Sequence, residues 1–578
     1  MGKRSRKPKH TVEAKVLQRP VRFHGLDTEL LAVLAIVAVW VLAALLINPR
    51  GNFPLNDDWC YGKAVFTLLR THQFHMDGIV TMTLVAQVLW GALFCSIFGA
   101  SFTVLRISTL ILGLGGLLAA YGLLREARAP KWIASFGCIV IALNPLYLSL
   151  SYSFMTDVPF TCVSLMAVYA YVKALKHDSI RMIALGTVLA CIAVLIRQLG
   201  VMLPIAFSLG YLVKNGTKVP SIIRSIVPVA IVGLVLSLYL HWLRVTGNLP
   251  EFYGMQERIW HEFLAAGPQT WLINILSVGR ALYVYMGLFT LPFFMLSARA
   301  VFRSVSSRQR VANSLIALVS AVVVMATLAA TRTWMPLVTT FGNYILDFGI
   351  GPPTLPDVFN LSIPNYPTAP ESLWIVVTIA GVAGGALLLW HILAALEVIL
   401  DRDQKAAPPF VKGAVVLTSA FALMYVAPTA LYVAGTYADR YFLCAVPMLI
   451  IAAAFTADPL VKPSRPCIAS GLLVLLLLGS FSIGATHDYL AWNRMRWLAL
   501  DDLVKEKHAT PKDMEGGYEF KNSVDYDDVN LERNWRWNDW HRYMLAFGPV
   551  EGYDEAKRYP YRRWMPPGEG SVYVLDRY

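Results

Sequence analysis

Two adjacent carboxylates follow directly on the first long apolar stretch of this sequence. They are Asp57 and Asp58, within Pro54-Leu55-Asn56-Asp57-Asp58-Trp59-Cys60-Tyr61. A positioned carboxylate can act as a general base toward a hydroxyl group. The pair can equally be a solvated loop that caps a helix running from Trp59 to about Leu69, because Asp is a favoured N-cap residue. The residues alone leave both interpretations open.

The composition indicates that the medium beside these acids is a membrane. Of the 578 residues, 56% are hydrophobic and 15% are charged, whereas soluble domains average about 25% charged residues. The formal net charge of +13 is explained by Lys and Arg that anchor cytoplasmic loops, so we expect membrane lipid and no nucleic acid as a partner. The seven cysteines lie mostly in apolar runs without CxxC spacing, which indicates neither a disulfide framework nor a zinc site.

The elements that must position the acids are membrane helices. A basic segment, 1–25, precedes an apolar run of about the 20 residues that cross a bilayer, so we expect a retained helix and a cytoplasmic N-terminus. About thirteen spans are expected in all, an odd number that places the C-terminus outside. The expected spans are 26–47, 103–124, 132–150, 158–175, 182–196, 201–213, 222–243, 274–297, 311–330, 373–398, 413–434, 441–457 and 467–485.

The segment 79–98 is long enough to span but carries Thr81, Thr83, Gln87 and Ser96. If it does not span, the basic residues of nearly all later loops fall on the cytoplasmic side, as the positive-inside rule requires. We therefore expect a re-entrant or juxtamembrane helix pair in the first outer loop, 48–102, which also carries the acidic pair.

Outside the spans, the sequence indicates one long loop and a tail domain. The outer connection 331–372 is rich in Pro and Gly, which excludes a regular helix over most of it. From residue 486 the composition becomes polar and aromatic up to Tyr578, with Gly516-Gly517-Tyr518-Glu519 as a turn. The expected fold is an all-α polytopic membrane protein. A basic cytoplasmic segment, 1–25, precedes a transmembrane catalytic domain, 26–485, and a small extracytoplasmic C-terminal domain, 486–578, follows.

This topology brings sequence-distant polar residues to the outer side. Asp157, in Met155-Thr156-Asp157-Val158-Pro159, lies at the start of a span, where it can cap a helix, act in chemistry, or both. Ionised side chains near hydrocarbon are costly unless paired, so arginines there are functional or salt-bridged. Five such arginines lie near outer span ends: Arg106, Arg197, Arg280, Arg332 and Arg440.

Arginine suits phosphate oxygens, so a lipid phosphate beside the acids is one ligand that these side chains would bind. The candidates are Arg197, Arg332, Arg440 and, about one turn after the acidic pair, Lys63. The alternative for each arginine is snorkelling or pairing with a neighbouring acid, such as Asp439 for Arg440. His72 and His75 could hold a divalent metal with Asp77, although surface histidines of this kind are usually solvated, and we assign no metal or cofactor.

The order of these motifs resembles a known family. An outer-loop Asn56-Asp57-Asp58-Trp59, then Leu93-Phe94, Phe98-Gly99-Ala100-Ser101, Leu105-Arg106, Met155-Thr156-Asp157-Val158-Pro159 and Asp439-Arg440-Tyr441 are similar to GT-C membrane glycosyltransferases related to protein O-mannosyltransferases and bacterial aminoarabinose transferases. The resemblance is strongest over 26–200 and slight in the tail. It implies a polyprenyl-phosphate sugar donor and an outer-loop aspartate as general base. Asp57 matches that position, and Asp58 stands where a glutamate is more common.

The resemblance thus implies an inverting transfer of a hexose or pentose to a hydroxyl of a glycan, lipid or protein acceptor, with Asp57, Asp58 and Asp157 as catalytic candidates. It places the protein in a bacterial cytoplasmic (inner) membrane. Two other classes stay open: a transporter or flippase of a lipid-linked or anionic substrate, and an assembly protein that binds through its extracytoplasmic tail. A transporter would be expected to show repeated halves and midplane polar residues, whereas here the acids lie at helix ends.

Overall fold

The computed structural model describes residues 28–337, 343–400, 407–431, 437–524 and 541–578. The basic segment 1–25 and the first two residues of the expected first span lie outside the described residues. Within these ranges the protein is mainly helical, with a two-stranded and a four-stranded sheet in its second half.

The first part of the chain, up to residue 245, is helical with short connections. A 3₁₀ turn at Gln198–Val201 follows the eighth of these helices. The helices are α1 (Thr28–Ile47), α2 (Asp58–Thr71), α3 (Val85–Phe98), α4 (Phe102–Glu126), α5 (Lys131–Ala142), α6 (Pro145–Leu150), α7 (Asp157–His177), α8 (Ile180–Val194), α9 (Met202–Asn215) and α10 (Val219–Val245).

The second part combines longer helices with the strands. Its helices are α11 (Tyr253–Ala265), α12 (Gly267–Ser304), α13 (Ser307–Ala330), α14 (Pro356–Phe359), α15 (Glu371–Leu400), α16 (Pro409–Val426), α17 (Ala445–Thr456), α18 (Arg465–Lys507) and α19 (Tyr518–Val524). Its strands are β1 (Ile345–Leu346), β2 (Gly349–Ile350), β3 (Met514–Glu515), β4 (Tyr543–Ala546), β5 (Tyr553–Trp564) and β6 (Pro567–Arg577). Further 3₁₀ turns lie at Ala427–Leu431, Asp439–Phe442 and Pro511–Asp513.

Ten of the described helical segments are long and apolar enough to cross a membrane, which confirms a polytopic membrane protein. Each coincides with one of the expected spans. The other three expected spans contain the shorter helices α5, α8 and α9. The expected span 132–150 is divided between α5 and α6 because Pro145 begins a new helix, whose first N–H groups at Leu146 and Tyr147 are capped by the Asn144 side chain.

The loop 48–102 contains α2 and α3, which pack against each other. Both helices have 14 residues, and α3 begins at Val85, so the first residues of the segment 79–98 are not helical. The polar residues Thr83 and Gln87 are buried and bond to the carbonyls of Val194 and Phe154. These bonds explain why polar side chains interrupt an apolar stretch.

Helices α12 and α15 approach closely at glycines. A Cβ on Gly384 would lie 2.3 Å from the carbonyl oxygen of Gly287, so neither position has room for a side chain. Small residues at such crossings let the backbones of membrane helices come into direct van der Waals contact.

The C-terminal segment packs on the membrane helices through α18, whose 43 residues continue well past the expected span end at residue 485. The sheet has the order β3-β4-β6-β5, with β3 parallel to β4 and the other pairs antiparallel. The Asp488 carboxylate on α18 accepts the N–H groups of Trp564 and Met565, and His487 stacks on Trp564 at 4.0 Å. Buried apolar residues form one continuous cluster from α1 and α2 to β4 and β6.

The described part of the loop 331–372 is largely irregular, as its Pro and Gly content predicts. It contains the short β1–β2 hairpin and the four-residue α14. The Asp357 carboxylate of α14 accepts hydrogen bonds from the Asn365 side chain and the Phe547 N–H. The loop therefore links the membrane region to the C-terminal sheet.

Candidate active site

Asp57 occupies the N-cap position of α2, but its side chain makes no capping hydrogen bond. Its Oδ2 lies 3.0 Å from Nη2 of Arg440, and its Oδ1 accepts a hydrogen bond of 2.9 Å from the Tyr518 hydroxyl. The side chain is 25% exposed. Asp57 is thus oriented by two side chains that are distant in sequence, and its carboxylate remains accessible from solvent.

A chain of alternating acids and arginines extends from Asp57. Nη1 of Arg440 lies 4.0 Å from Oδ2 of Asp157, and Oδ1 of Asp157 lies 2.6 Å from Nη1 of Arg197. Asp157 and Arg197 are both almost wholly buried. Asp157 therefore begins α7 but directs its carboxylate to the two arginines. The structure brings together four of the seven residues singled out from the sequence: Asp57, Asp157, Arg197 and Arg440.

Asp58 has a different environment from its neighbour. It is 1% exposed, its Oδ1 accepts the Leu55 N–H at 2.6 Å, and its Oδ2 accepts the Phe154 N–H at 2.9 Å. Burial raises the pKa of Asp58 to about 7, while the two N–H donors and the nearby Arg106 act in the opposite direction. Asp58 thereby ties the turn before α2 to the segment before α7.

Asp439 and Arg106, from the same motifs, form hydrogen bonds with backbone groups. Asp439 does not pair with Arg440 as the alternative interpretation suggested, because its carboxylate accepts the N–H groups of Tyr344 and Ile345 at 2.9 and 3.0 Å. Arg106 is buried in α4 and donates to four carbonyl groups. These acceptors are Tyr152 (2.6 Å), Pro49 (2.7 Å), Gly51 (3.1 Å) and Phe53 (3.1 Å).

Lys63 and Arg332 have other surroundings. Nζ of Lys63 lies 3.6 Å from Oδ2 of Asp77, whose pKa is raised by burial and lowered in part by Lys63. Arg332 is exposed directly after α13, and its backbone adopts a left-handed φ of 48°. Among the described contacts, none joins Arg332 to the acidic cluster.

The histidines of the first loop do not form a metal site with their neighbours in the described part of the chain. His75 Nδ1 lies 3.1 Å from Oδ1 of Asn248, and His72 ends α2 in a left-handed conformation. Within the described ranges, no group of three His, Cys, Asp or Glu residues is arranged to hold a metal ion.

Tyr518 and Glu519, the first two residues of α19, contact Asp57 and the neighbouring Asn56. The sequence predicts only a turn for them, since an isolated Tyr-Glu in a polar tail has no distinguishing spacing. In the structure, Glu519 Oε1 accepts the N–H of Asn56 at 2.9 Å, next to the bond from Tyr518 to Asp57. A tail so close to a loop near the N-terminus could not be inferred without knowing how the helices pack.

A cavity of about 350 Å³ lies beside Arg197. Its walls come from the segment before α3, from α11 and from the end of α16, and are mostly apolar, with Met82, Met255, Trp260, Tyr425 and Tyr441 among them. An arginine in a mostly apolar wall can bind an anionic group attached to a hydrophobic chain. Here the other side of the Arg197 guanidinium is paired with Asp157.

Comparison with known families supports the motif resemblance. The family model described as dolichyl-phosphate-mannose-protein mannosyltransferase matches residues 85–243. This stretch includes Asp157 and Arg197, whereas Asp57 and Asp58 precede it and Arg440 follows it. The match confirms the resemblance over this part of the membrane region. No protein of curated function matches the sequence.

Several solved structures are similar in chain path. A protein O-mannosyltransferase Pmt1-Pmt2 complex from S. cerevisiae, bound to the sugar donor, matches with 16% identity over 39% of this chain and 35% of that chain, at a TM-score of 0.30. This chain thus spans about a third of the length of the yeast chain. ArnT from Cupriavidus metallidurans bound to undecaprenyl phosphate matches with 12% identity over 94% of this chain and 97% of that chain, at a TM-score of 0.39. ArnT in the apo state matches with 12% identity over 85% and 83%, at a TM-score of 0.37.

Proposed function

We propose that the protein is a membrane glycosyltransferase that moves a sugar from a polyprenyl-phosphate donor to an acceptor hydroxyl at the outer face of the membrane. The observation that carries the proposal is the Asp57 carboxylate, which is partly exposed and held by Arg440 and Tyr518. It is linked through Arg440 and Asp157 to Arg197, which lines the cavity. The family model over 85–243, whose description names a lipid-phosphate mannose donor, supports the same chemistry.

In the proposed reaction Asp57 accepts the proton of the acceptor hydroxyl. The acceptor oxygen forms a bond to the anomeric carbon of the donor while the bond from that carbon to the phosphate oxygen breaks, and the electron pair leaves with the phosphate. Attack from the face opposite the phosphate inverts the anomeric centre. A well-placed base of this kind typically contributes about 10² to 10⁴ in rate.

The arginines would stabilise the negative charge that develops on the phosphate. Arg197 lines the cavity and Arg440 lies next to Asp57, so we assign this role to these two residues. Asp157 holds both guanidinium groups, and Asp58 fixes the turn that carries Asp57. A role of Lys63 and Arg332 in donor binding stays a prediction. Lys63 is paired with Asp77, and Arg332 is exposed.

The test is sugar transfer in membranes that contain the protein, with a panel of polyprenyl-phosphate hexoses and pentoses radiolabelled in the sugar. We expect Asp57→Asn to lower transfer by at least about 100-fold. Asp501→Asn, at an exposed acid on α18, is the matched control and should transfer at the wild-type rate. Wild-type transfer by Asp57→Asn would exclude Asp57 as the base.

The same panel separates the other classes. A flippase would move a labelled lipid across the membrane without forming a new glycosidic bond, and this movement would not depend on Asp57. An assembly protein would do neither. Detection of a labelled glycoside that survives the mild acid that cleaves the glycosyl phosphate donor, formed only with an intact Asp57, therefore distinguishes the proposal from both.

The orientation that the proposal requires can be measured independently. With a cytoplasmic N-terminus, Glu551→Cys in the connection between β4 and β5 should react with an impermeant thiol reagent in intact cells. Ser307→Cys at the first residue of α13 should react only after permeabilisation. The reverse pattern would place Asp57 on the cytoplasmic side and would contradict an outer-face reaction in a bacterial inner membrane.

A further inference from the structure

The first two residues of α19 contact Asn56 and Asp57 through their side chains. The Tyr518 hydroxyl donates to Oδ1 of Asp57 at 2.9 Å, and Oε1 of Glu519 accepts the Asn56 N–H at 2.9 Å. Both contacts join the C-terminal segment to consecutive residues of the first outer loop, more than 460 positions away.

Glu519 is itself firmly held. Its carboxylate is wholly buried and lies 2.6 Å from Nη1 of Arg496 on α18, which is also wholly buried. The Thr354 hydroxyl donates to Oε2 of Glu519 at 2.6 Å, and Nε of Arg496 donates to the Gly516 carbonyl at 2.7 Å. A buried carboxylate with an ion pair and two further hydrogen bonds has a fixed position.

The residue that Glu519 holds has an unusual backbone. Asn56 adopts a left-handed φ of 54°, a conformation that Asn enters more readily than most residues with a Cβ and that the bond from its N–H to Glu519 helps to hold. Because Asn56 immediately precedes Asp57, its conformation determines the direction in which the Asp57 side chain leaves the chain. Asp58 fixes the other side of the same turn through the Leu55 N–H.

We propose that Tyr518 and Glu519 are positioning residues for the Asp57 base, so that the C-terminal segment is part of the catalytic unit. This inference rests on the proposed function. Glu519 fixes the turn from which Asp57 projects, and Tyr518 fixes the rotation of its carboxylate. Displacing a reacting group by about 1 Å can reduce a rate about 100-fold, so support of this kind has a measurable effect.

The first variant removes one hydroxyl. We expect Tyr518→Phe to lower kcat for sugar transfer about 10- to 100-fold with little change in the KM of the donor. A phenol that donates to a carboxylate stabilises its ionised form. The acidic limb of the pH–rate profile of Tyr518→Phe should therefore move to higher pH.

The matched control is Tyr559→Phe. The Tyr559 hydroxyl donates to Oδ2 of Asp502 at 2.7 Å, also between the C-terminal segment and α18 but away from Asp57. It should retain the wild-type kcat and pH profile. A Tyr518→Phe enzyme with wild-type kcat and profile, beside an inactive Asp57→Asn enzyme, would overturn the positioning role and leave the proposed function intact.

A second variant tests Glu519. Glu519→Gln keeps an acceptor for the Asn56 N–H but leaves Arg496 without its counter-ion, so we expect a lower unfolding temperature as well as a lower kcat. Its kcat per folded molecule, measured below that temperature, should fall more than about 10-fold. An unchanged kcat per folded molecule would show that Glu519 is structural only.

If no sugar in the panel is transferred by the wild-type protein, the proposed function fails, and a thermal double-mutant cycle still tests the contact. Unfolding temperatures are compared for wild type, Tyr518→Phe, Asp57→Asn and the double variant. A direct bond makes the two effects non-additive. Additive effects would contradict the contact from Tyr518 to Asp57 itself.

Discussion

Arg440 Nη2 and Asp57 Oδ2 lie 3.0 Å apart although the two residues are separated by 383 positions. The same guanidinium group lies 4.0 Å from Asp157 through its other nitrogen. Arg440 therefore connects a partly exposed carboxylate to a buried one. Both carboxylates belong to the proposed site, so the planar guanidinium group of Arg440 should matter for activity beyond its positive charge.

Arg440→Lys should lower kcat about 10- to 100-fold. Lysine keeps the positive charge, but an ammonium group is a single point charge and cannot reproduce the planar contact to two carboxylates. The rate of sugar transfer in membranes measures the effect. Arg465→Lys, at an exposed position at the start of α18, is the matched control. Equal rates for the two variants would exclude a geometric role for the guanidinium group.

Arg197→Gln should reduce the free energy of unfolding by about 3–5 kcal/mol, because it leaves the buried Asp157 carboxylate without its closest partner. It should also raise the KM of the lipid donor if Arg197 binds the phosphate. Arg332→Gln, at an exposed residue, should change the free energy of unfolding by less than about 0.5 kcal/mol. Thermal unfolding in detergent and donor saturation curves measure both effects. The same free energy of unfolding and the same donor KM in the two variants would contradict the burial of Arg197 against Asp157.

Asp58 should make stability depend on pH. In the unfolded chain an aspartate ionises near pH 4, whereas the folded pKa of Asp58 is raised to about 7 by burial. The folded state binds the additional proton, so its stability falls as the pH rises from about 4 to about 7. The unfolding temperature of the wild type should therefore decrease over this window.

Asp58→Asn isolates this contribution. The variant cannot ionise, so its unfolding temperature should decrease less steeply with pH than that of the wild type. It should also be less stable by about 1–3 kcal/mol at pH 5, because the amide nitrogen cannot accept the Leu55 or Phe154 N–H, whereas both oxygens of the protonated acid can still accept a hydrogen bond. Parallel curves for wild type and variant would refute the assignment to Asp58.

Gly384→Ala should destabilise the membrane region by about 1–3 kcal/mol, since the added methyl group would meet the backbone of Gly287 at 2.3 Å. Gly233→Ala on α10 is the control, because a Cβ there meets nothing within 4 Å. Alanine is the better helix former, so this variant should be neutral or more stable by up to about 1 kcal/mol. Thermal unfolding in detergent compares them. A Gly384→Ala protein that unfolds at or above the Gly233→Ala temperature would contradict the close crossing.

Sequence patterns predict the membrane helices well because long apolar runs have few alternatives. The helices α4, α7 and α15 begin and end within a few residues of the predicted spans. The division between α5 and α6 shows where hydropathy fails. Asn144-Pro145 starts a new helix in the middle of an apolar run, and a hydropathy average over the whole run does not detect this start. The helix α18 continues past the predicted span end at residue 485, because polar residues on it bond to the C-terminal sheet and do not end the helix.

The charged residues show a comparable limit. The predicted topology groups Asp57 and Asp157 with Arg197 and Arg440. The same criterion also selects Arg332, which no described contact joins to the cluster. The partners of Arg106 and Asp439 could not be predicted, because both bind backbone groups of loops whose course depends on tertiary packing. Tyr518 and Glu519 were missed for the same reason, with the additional difficulty that their contacts join nearly opposite ends of the chain.

The length of α18 limits how the C-terminal segment can be exchanged. This helix contacts α1, α6 and α12 and also carries Arg496, the ion-pair partner of Glu519. A chimaera joined at residue 485 would therefore replace part of the support of Asp57 together with any acceptor-binding surface. Junctions placed after Phe520 would keep that support native, and only such chimaeras report on acceptor preference separately from the rate of the chemical step.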